Sequence, residues 1–174
     1  MILVSNNIVL SPTSLTDADV LIELLKDKEI SDNTLVIPYP YNIEDAKTWL
    51  EDNDIFTEEN GFSRNYAIRD KKGEMIGVIG LQYNYGLEAD KSEFGYWLGK
   101  PYWKQGIMTV VINKFCEIAK EQFKLKQLEA HVFVFNLTSQ RLLLKTGFAQ
   151  HETITGKYKK EGKKIDAVKF VKVL

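Results

Sequence analysis

The stretch that most constrains this chain is residues 96–109, Tyr96-Trp97-Leu98-Gly99-Lys100-Pro101-Tyr102-Trp103-Lys104-Gln105-Gly106-Ile107-Met108-Thr109. Leu98 closes an apolar run, and Gly99 and Pro101 break it. From Gly106 onward the period changes: Ile107, Val110, Val111, Phe115, Ile118 and Ala119 fall on one helical face. The pattern predicts a strand, a short basic loop and a long helix that starts near Gly106. The first N–H groups of such a helix have no partner within it, and its dipole is positive at that end. An anion is therefore favoured there. Lys104 adds a cation, and Gly106 lets an anion approach the backbone closely.

The remaining elements read around this stretch. Residues 2–10 predict a first strand, with Asn6-Asn7 a bulge or turn, before an interruption at Pro12 and Thr13. Thr16 is positioned to cap a helix with Asp17 and Asp19 in its first turn and Val20, Leu21, Leu24 and Leu25 as its buried stripe. Residues 30–42 are irregular, because Pro38 and Pro40 forbid a helix there. Asn42 can cap a second helix in which Ala46, Trp49 and Leu50 face inward. Tyr66 to Arg69, a hairpin turn over 71–74 and a return strand over 75–85 follow. The centre of that strand is apolar without alternation, as in a strand buried on both faces. Residues 84–90 read as a loop, 92–98 as a strand, and 127–135 as a strong strand. Asn136 caps a short helix that packs through Leu142 and Leu143 and stops at Gly147. Strands over 148–155 and 165–173 flank a turn at 161–164. The order implies one domain over 1–174 with a mixed α/β sheet and a long helix packed on it.

Composition narrows the function. At 174 residues the chain can bury a substantial core, and 44% hydrophobic with 27% charged residues is the balance of a globular protein in water. A net charge of −1, with only Arg64, Arg69 and Arg141 as arginines, argues against a nucleic-acid binder. Cys116 is the sole cysteine, so no internal disulfide forms and a reducing, cytoplasmic compartment is expected. The start lacks a signal-peptide pattern, and no run of about 18 apolar residues predicts a membrane span. His131 alternates into a strand and His151 is isolated, so no metal-ligand spacing exists. The basic run Lys157, Lys159, Lys160, Lys163 and Lys164 reads as a solvated turn, as do the acids Glu58-Glu59 and those at 88–90.

Several segments together carry a resemblance: Ile37-Pro38-Tyr39-Pro40-Tyr41 before the helix with Ala46 and Trp49, Glu93 to Leu98, Trp103 to Met108, and Asn136 to Ser139 with Lys145, Gly147, Phe148 and Asp166. Over essentially its full length the chain resembles the GNAT family of acyl-CoA-dependent N-acetyltransferases, within it the RimJ/RimL-like group. The resemblance implies a mostly antiparallel mixed sheet of about seven strands, with flanking helices and a splayed central strand pair. It implies acetyl-CoA as co-substrate and no metal. Its diphosphate would lie on Lys104, Gln105, Gly106, Ile107, Met108 and Thr109. The family pattern departs at Trp103, where Gln or Arg is usual, and at Met108, where Gly or Ala is usual.

By the same resemblance, the strand 92–98 parts from 127–135, the pantetheine arm pairs in the gap, and Trp97 and Leu98 offer the thioester carbonyl a main-chain N–H. The nucleophile must be an unprotonated amine, so a base or a water chain has to take its proton. Glu93 is the candidate base, the alternative being a solvent-facing residue beside Lys91. Asn136 is an N-cap that would also touch the cofactor. Ser139 would belong to the cofactor site, near the sulfur, and it or a bound water would serve as acid, because Leu143 occupies the position where many members carry a tyrosine. Tyr39, Tyr41 and Trp49 would line the acceptor groove, or belong to the core. The acceptor is first a protein N-terminal α-amine, with a polyamine, amino acid or drug amine as rival. A non-catalytic acyl-CoA-binding module is the other class of reading. No nucleic-acid or membrane partner is implied, and the assembly is a monomer or homodimer.

Overall fold

A computed structural model describes residues 1–83 and 90–174, with the backbone alone at Tyr83. The loop expected at 84–90, and the acids within it, lie outside the described residues except for Asp90. The strands are β1 (Ile2–Ser5), β2 (Ile8–Pro12), β3 (Asn65–Arg69), β4 (Met75–Tyr83), β5 (Lys91–Leu98), β6 (Gln127–Phe133), β7 (Ala149–Lys160) and β8 (Lys163–Val173). The helices are α1 (Ala18–Leu25), α2 (Lys28–Asp32), α3 (Ile43–Asn60), α4 (Ile107–Glu121) and α5 (Leu137–Lys145). The strands form one mixed eight-stranded sheet in the order β1-β2-β3-β4-β5-β6-β8-β7. The eighth strand comes from Asn6-Asn7, which is a true turn: β1 and β2 pair antiparallel across it.

By packing, the chain divides into two compact units, one of residues 1–80 with 96–111 and one of residues 81–95 with 112–174. In the first unit, β4 is buried throughout its apolar run, with Ile76 and Ile79 fully so. Gly77 is there because β5 passes too close for a side chain: a Cβ would lie 2.4 Å from the Trp97 carbonyl oxygen. Ala18, Leu21 and Leu25 of α1, Ile30 of α2 and Ala46 and Leu50 of α3 fill the core against this sheet. Ile37, Tyr41, Trp49, Trp97 and Trp103 pack on its margin. Asp17 is 4% exposed, yet it is satisfied on every side. Its carboxylate accepts two hydrogen bonds of 2.8 Å from the Arg69 guanidinium, and its Oδ2 also accepts the Ser14 amide. A bidentate pair with this many donors is the arrangement in which a buried charge is tolerated.

The cap of the first helical segment differs from the sequence expectation. Ser14, not Thr16, is the N-cap, of a single 3-10 turn that runs into α1. The Ser14 side chain accepts from the Thr16 amide while Asp17 reaches back, a closed capping box. At α3 the expected cap holds: Asn42 accepts from the amides of Glu44 and Asp45, and Asp45 returns the bond. The stretch expected to be irregular from residue 30 begins inside a helix, α2, whose five residues are capped by Asp27.

In the second unit, Phe94 of β5 stacks between Phe115 of α4 and Phe148, with centroids 5.8 and 5.3 Å away. On α4 the buried face is Val111, Ile112, Phe115, Cys116, Ile118 and Ala119. Val110, expected to face inward, is 40% exposed, and Ile112 takes its place. Burial raises the Cys116 thiol pKa against the opposing pull of Lys172, so it stays a packed thiol.

Candidate active site

The sheet is interrupted between its two central strands. β5 and β6 run parallel and pair only at Lys91↔Gln127, Ser92↔Leu128 and Glu93↔Glu129. β5 then continues to Leu98 and β6 to Phe133, with no further pair between them among the described residues.

The loop before α4 belongs to the first unit. Trp103 anchors it: the indole Nε1 donates to the Leu98 carbonyl at 2.6 Å, and the ring packs on the core margin. Lys100 lies 6.0 Å over the same ring and pairs with Asp27 and Glu29. The Gln105 side chain donates to the Pro101 carbonyl, which tightens the turn from within. Lys104 and Gly106 both have left-handed backbones, φ 60 and 77, so the loop folds back on itself just ahead of the helix. A Cβ built on Gly106 meets nothing within 4 Å, so the space outside that residue is open. The Trp103 amide donates to Lys100 O and the Thr109 amide to Gly106 O. Among the described residues, the amides of Lys104, Gln105, Gly106, Ile107 and Met108 have no protein acceptor. Consecutive amides without a protein acceptor at the start of a 15-residue helix are the kind of donors that favour an anion.

Tyr39, Tyr41 and Trp49 do not share one role in the first unit. Trp49 and Tyr41 pack on the core margin. Burial, and then the charge of Asp45, push the Tyr41 hydroxyl up to about 12, which keeps it a neutral donor. Tyr39 is 46% exposed, with Lys28 5.7 Å over its ring.

Glu93, Asn136 and Ser139 lie in the second unit. Asn136 caps α5 through Oδ1, which accepts the Ser139 amide at 3.1 Å. Leu143 is fully buried, so no acid-bearing group is presented from that position. The Glu93 side chain is 17% exposed. Its Oε1 sits 3.1 Å from Nδ1 of His131 and accepts from the Tyr158 hydroxyl at 3.4 Å. Sequence reasoning set His131 and Lys157 aside. The signal was the strand period: Glu129 pairs with Glu93, so His131, two residues on, shares that face of the sheet. Glu129 itself is held by Lys169 at 2.8 Å. Burial works to raise its pKa, but the hydrogen bond and charge of Lys169, with Gln127 and Lys91, outweigh it and hold the carboxyl low. Among the described residues, no group of three or more His, Cys, Asp or Glu is arranged to hold a metal ion.

A family model described as an acetyltransferase (GNAT) domain matches residues 7–149. The chain therefore belongs to the GNAT acetyltransferase family, enzymes that take the acetyl group of acetyl-CoA. The N-acetyltransferase p20 of Bacillus licheniformis is 25% identical over 168 residues, covering 97% of this chain and 93% of that protein. Among solved structures, RimL, the ribosomal L7/L12 alpha-N-protein acetyltransferase in complex with coenzyme A, superposes with a TM-score of 0.88 at 18% identity. That match covers 99% of this chain and 97% of RimL. The microcin C7 self immunity acetyltransferase MccE, in complex with acetyl-CoA and AMP, gives 0.85 at 22% identity, with 98% and 94% covered.

Proposed function

We propose that this enzyme moves acetyl from acetyl-CoA to a protein N-terminal α-amine by direct attack in a ternary complex. The observation that carries the reading is the run of unspent amides from Lys104 to Met108 beside the open face of Gly106. These amides, with Thr109 behind them, hold the diphosphate, and Trp97 and Leu98 supply the main-chain N–H for the thioester oxygen. Asn136 Nδ2 contacts the cofactor while Oδ1 keeps the cap. Tyr39, the exposed member of the aromatic segment, meets the acceptor, and Tyr41 and Trp49 support it.

The proton inventory is simple. Glu93 takes one proton from the acceptor ammonium, and the freed amine attacks the thioester carbon. The C–S bond breaks as the tetrahedral intermediate collapses. Of the two protons left on the amine nitrogen, one goes to the departing thiolate through Ser139 or water and the other stays on the amide nitrogen, giving amide and thiol. Glu93 then returns its proton to solvent.

The N-terminal acceptor rests on the full-length fold likeness to RimL. The likeness to MccE favours a small-molecule amine as the second reading. The single buried thiol fits a reducing cytoplasm. The test is release of free thiol from acetyl-CoA, with a panel of free N-terminal peptides set against a panel of polyamines, amino acids and aminoglycosides. Turnover confined to peptides, abolished when the N-terminus is blocked, is the expected result. Turnover confined to small amines overturns the acceptor, and acetyl-CoA binding without turnover on either panel makes the chain a binding module.

A further inference from the structure

His131 is a buried histidine that the acetyl-transfer chemistry described so far does not use. Its side chain is 5% exposed, and Nδ1 has no aligned hydrogen bond. It is not idle packing, because each ring nitrogen faces a charged side chain. Nε2 lies 3.0 Å from Lys157 Nζ. Nδ1 lies 3.1 Å from Glu93 Oε1, off the line of a hydrogen bond. An orphaned buried nitrogen at that distance from a carboxylate is costly unless the pair closes at some stage of the protein's work.

An ammonium has three donors and no acceptor. Lys157 can therefore only donate to Nε2, and the neutral ring must carry its hydrogen on Nδ1, toward Glu93. The Tyr158 hydroxyl donates to the same oxygen. Two donors thus converge on Oε1, while Oε2 has no protein partner among the described residues. We propose that His131 is the positioning residue for Glu93. Lys157 fixes its tautomer, and its Nδ1–H clamps Oε1 so that Oε2 is presented to the acceptor ammonium. The clamp tightens when substrate is bound, as misaligned contacts at such sites do.

The fold builds this arrangement deliberately. Between Ile154↔Ala167 and Tyr158↔Ile165 the β7 strand carries extra residues, with Asp166 opposite them. The Gly156 amide in that bulge donates to Asp166 Oδ1 at 2.7 Å, and Gly156 has φ 60. The bulge aims both Lys157 and Tyr158 at β6, where the Tyr158 ring stands edge-on to His131 and Phe133. The other charges around the imidazole are accounted for: Lys169, its cross-strand partner on β8, is bound to Glu129, and Lys91 lies 3.8 Å from Glu129.

The inference rests on Glu93 as base, so its test separates the two. In His131→Leu the clamp is lost, and kcat is expected to fall at least about tenfold with acetyl-CoA affinity unchanged. In His131→Asn the amide keeps a donor near the Nδ1 position, and most of that loss is expected to be restored. Nitrogen-15 NMR of the wild-type ring is expected to show the Nδ1–H form, and Lys157→Met is expected to mix the two tautomers. If Glu93→Gln is inactive while His131→Leu turns over like wild type, the positioning role is wrong and the base assignment stands. If Glu93→Gln matches wild type, both fall. An Nε2–H tautomer in the wild type overturns the clamp whatever the kinetics.

Discussion

The indole Nε1 of Trp103 donates to the main-chain carbonyl of Leu98 at 2.6 Å. One bond joins the last residue of β5 to the loop before α4, at the position where the family usually carries Gln or Arg. The tryptophan thus gives up a charged or amide side chain and gains a rigid, packed anchor. Trp103→Phe keeps the packing and loses the bond. It is expected to lower stability by about 1 kcal/mol in thermal unfolding and to weaken acetyl-CoA a few-fold in titration calorimetry.

Gly106 has a left-handed backbone and empty space outside it. Gly106→Val strains the φ and puts a branched side chain over the unspent amides. A loss of about 2 kcal/mol in stability is expected. The acetyl-CoA KM is expected to rise much more than kcat falls, as steady-state kinetics would report.

Glu93 and Ser139 are assigned to the chemistry, Ser139 from a position beside the cofactor sulfur, so turnover is expected to suffer more than cofactor affinity. Glu93→Gln is expected to lose about a hundredfold or more in kcat, and Ser139→Ala about tenfold. Cofactor affinity, measured by calorimetry, is expected to stay near wild type in both. Two variants with unaltered turnover contradict these roles.

Glu129 supplies a pH-dependent piece of stability. Its folded pKa is held below the ordinary carboxylate value: desolvation raises it, but Lys169, Gln127 and Lys91 together outweigh that. The unfolded chain therefore binds the proton first. The contribution is fully present above the ordinary Glu range, and it is lost as pH falls through the depressed folded value. Glu129→Gln is expected to cost about 1 kcal/mol at neutral pH and to converge with wild type in strong acid, seen by denaturant unfolding at a series of pH values.

Much of this was legible in the chain because local and global preferences agree. Asn42 and Asp45 announce the start of α3, and the unbroken apolar run in β4 announces a strand buried on both faces. The misses have physical causes. α2 has only five residues, too few for a helical period, and the prolines that follow it forbid a helix only beyond its end. Ser14 and Thr16 are both good caps, and a 3-10 turn decided between them. Val110 and Ile112 exchange faces because the buried surface of α4 is set by what packs on it, which a wheel of one helix does not contain. The Glu93 and His131 pair depends on the register of two parallel strands far apart in sequence, and on a bulge in β7 that brings Lys157 to the ring. Spacing along the chain carries neither fact.

Everything depends on the amides around Gly106 binding the diphosphate of acetyl-CoA. The direct measurement is a nitrogen-15 NMR titration with coenzyme A that follows each backbone amide. The prediction is saturable shifts that are largest at Gln105, Gly106, Ile107 and Met108. Binding of coenzyme A that leaves those amides unmoved, or no binding at all, contradicts it.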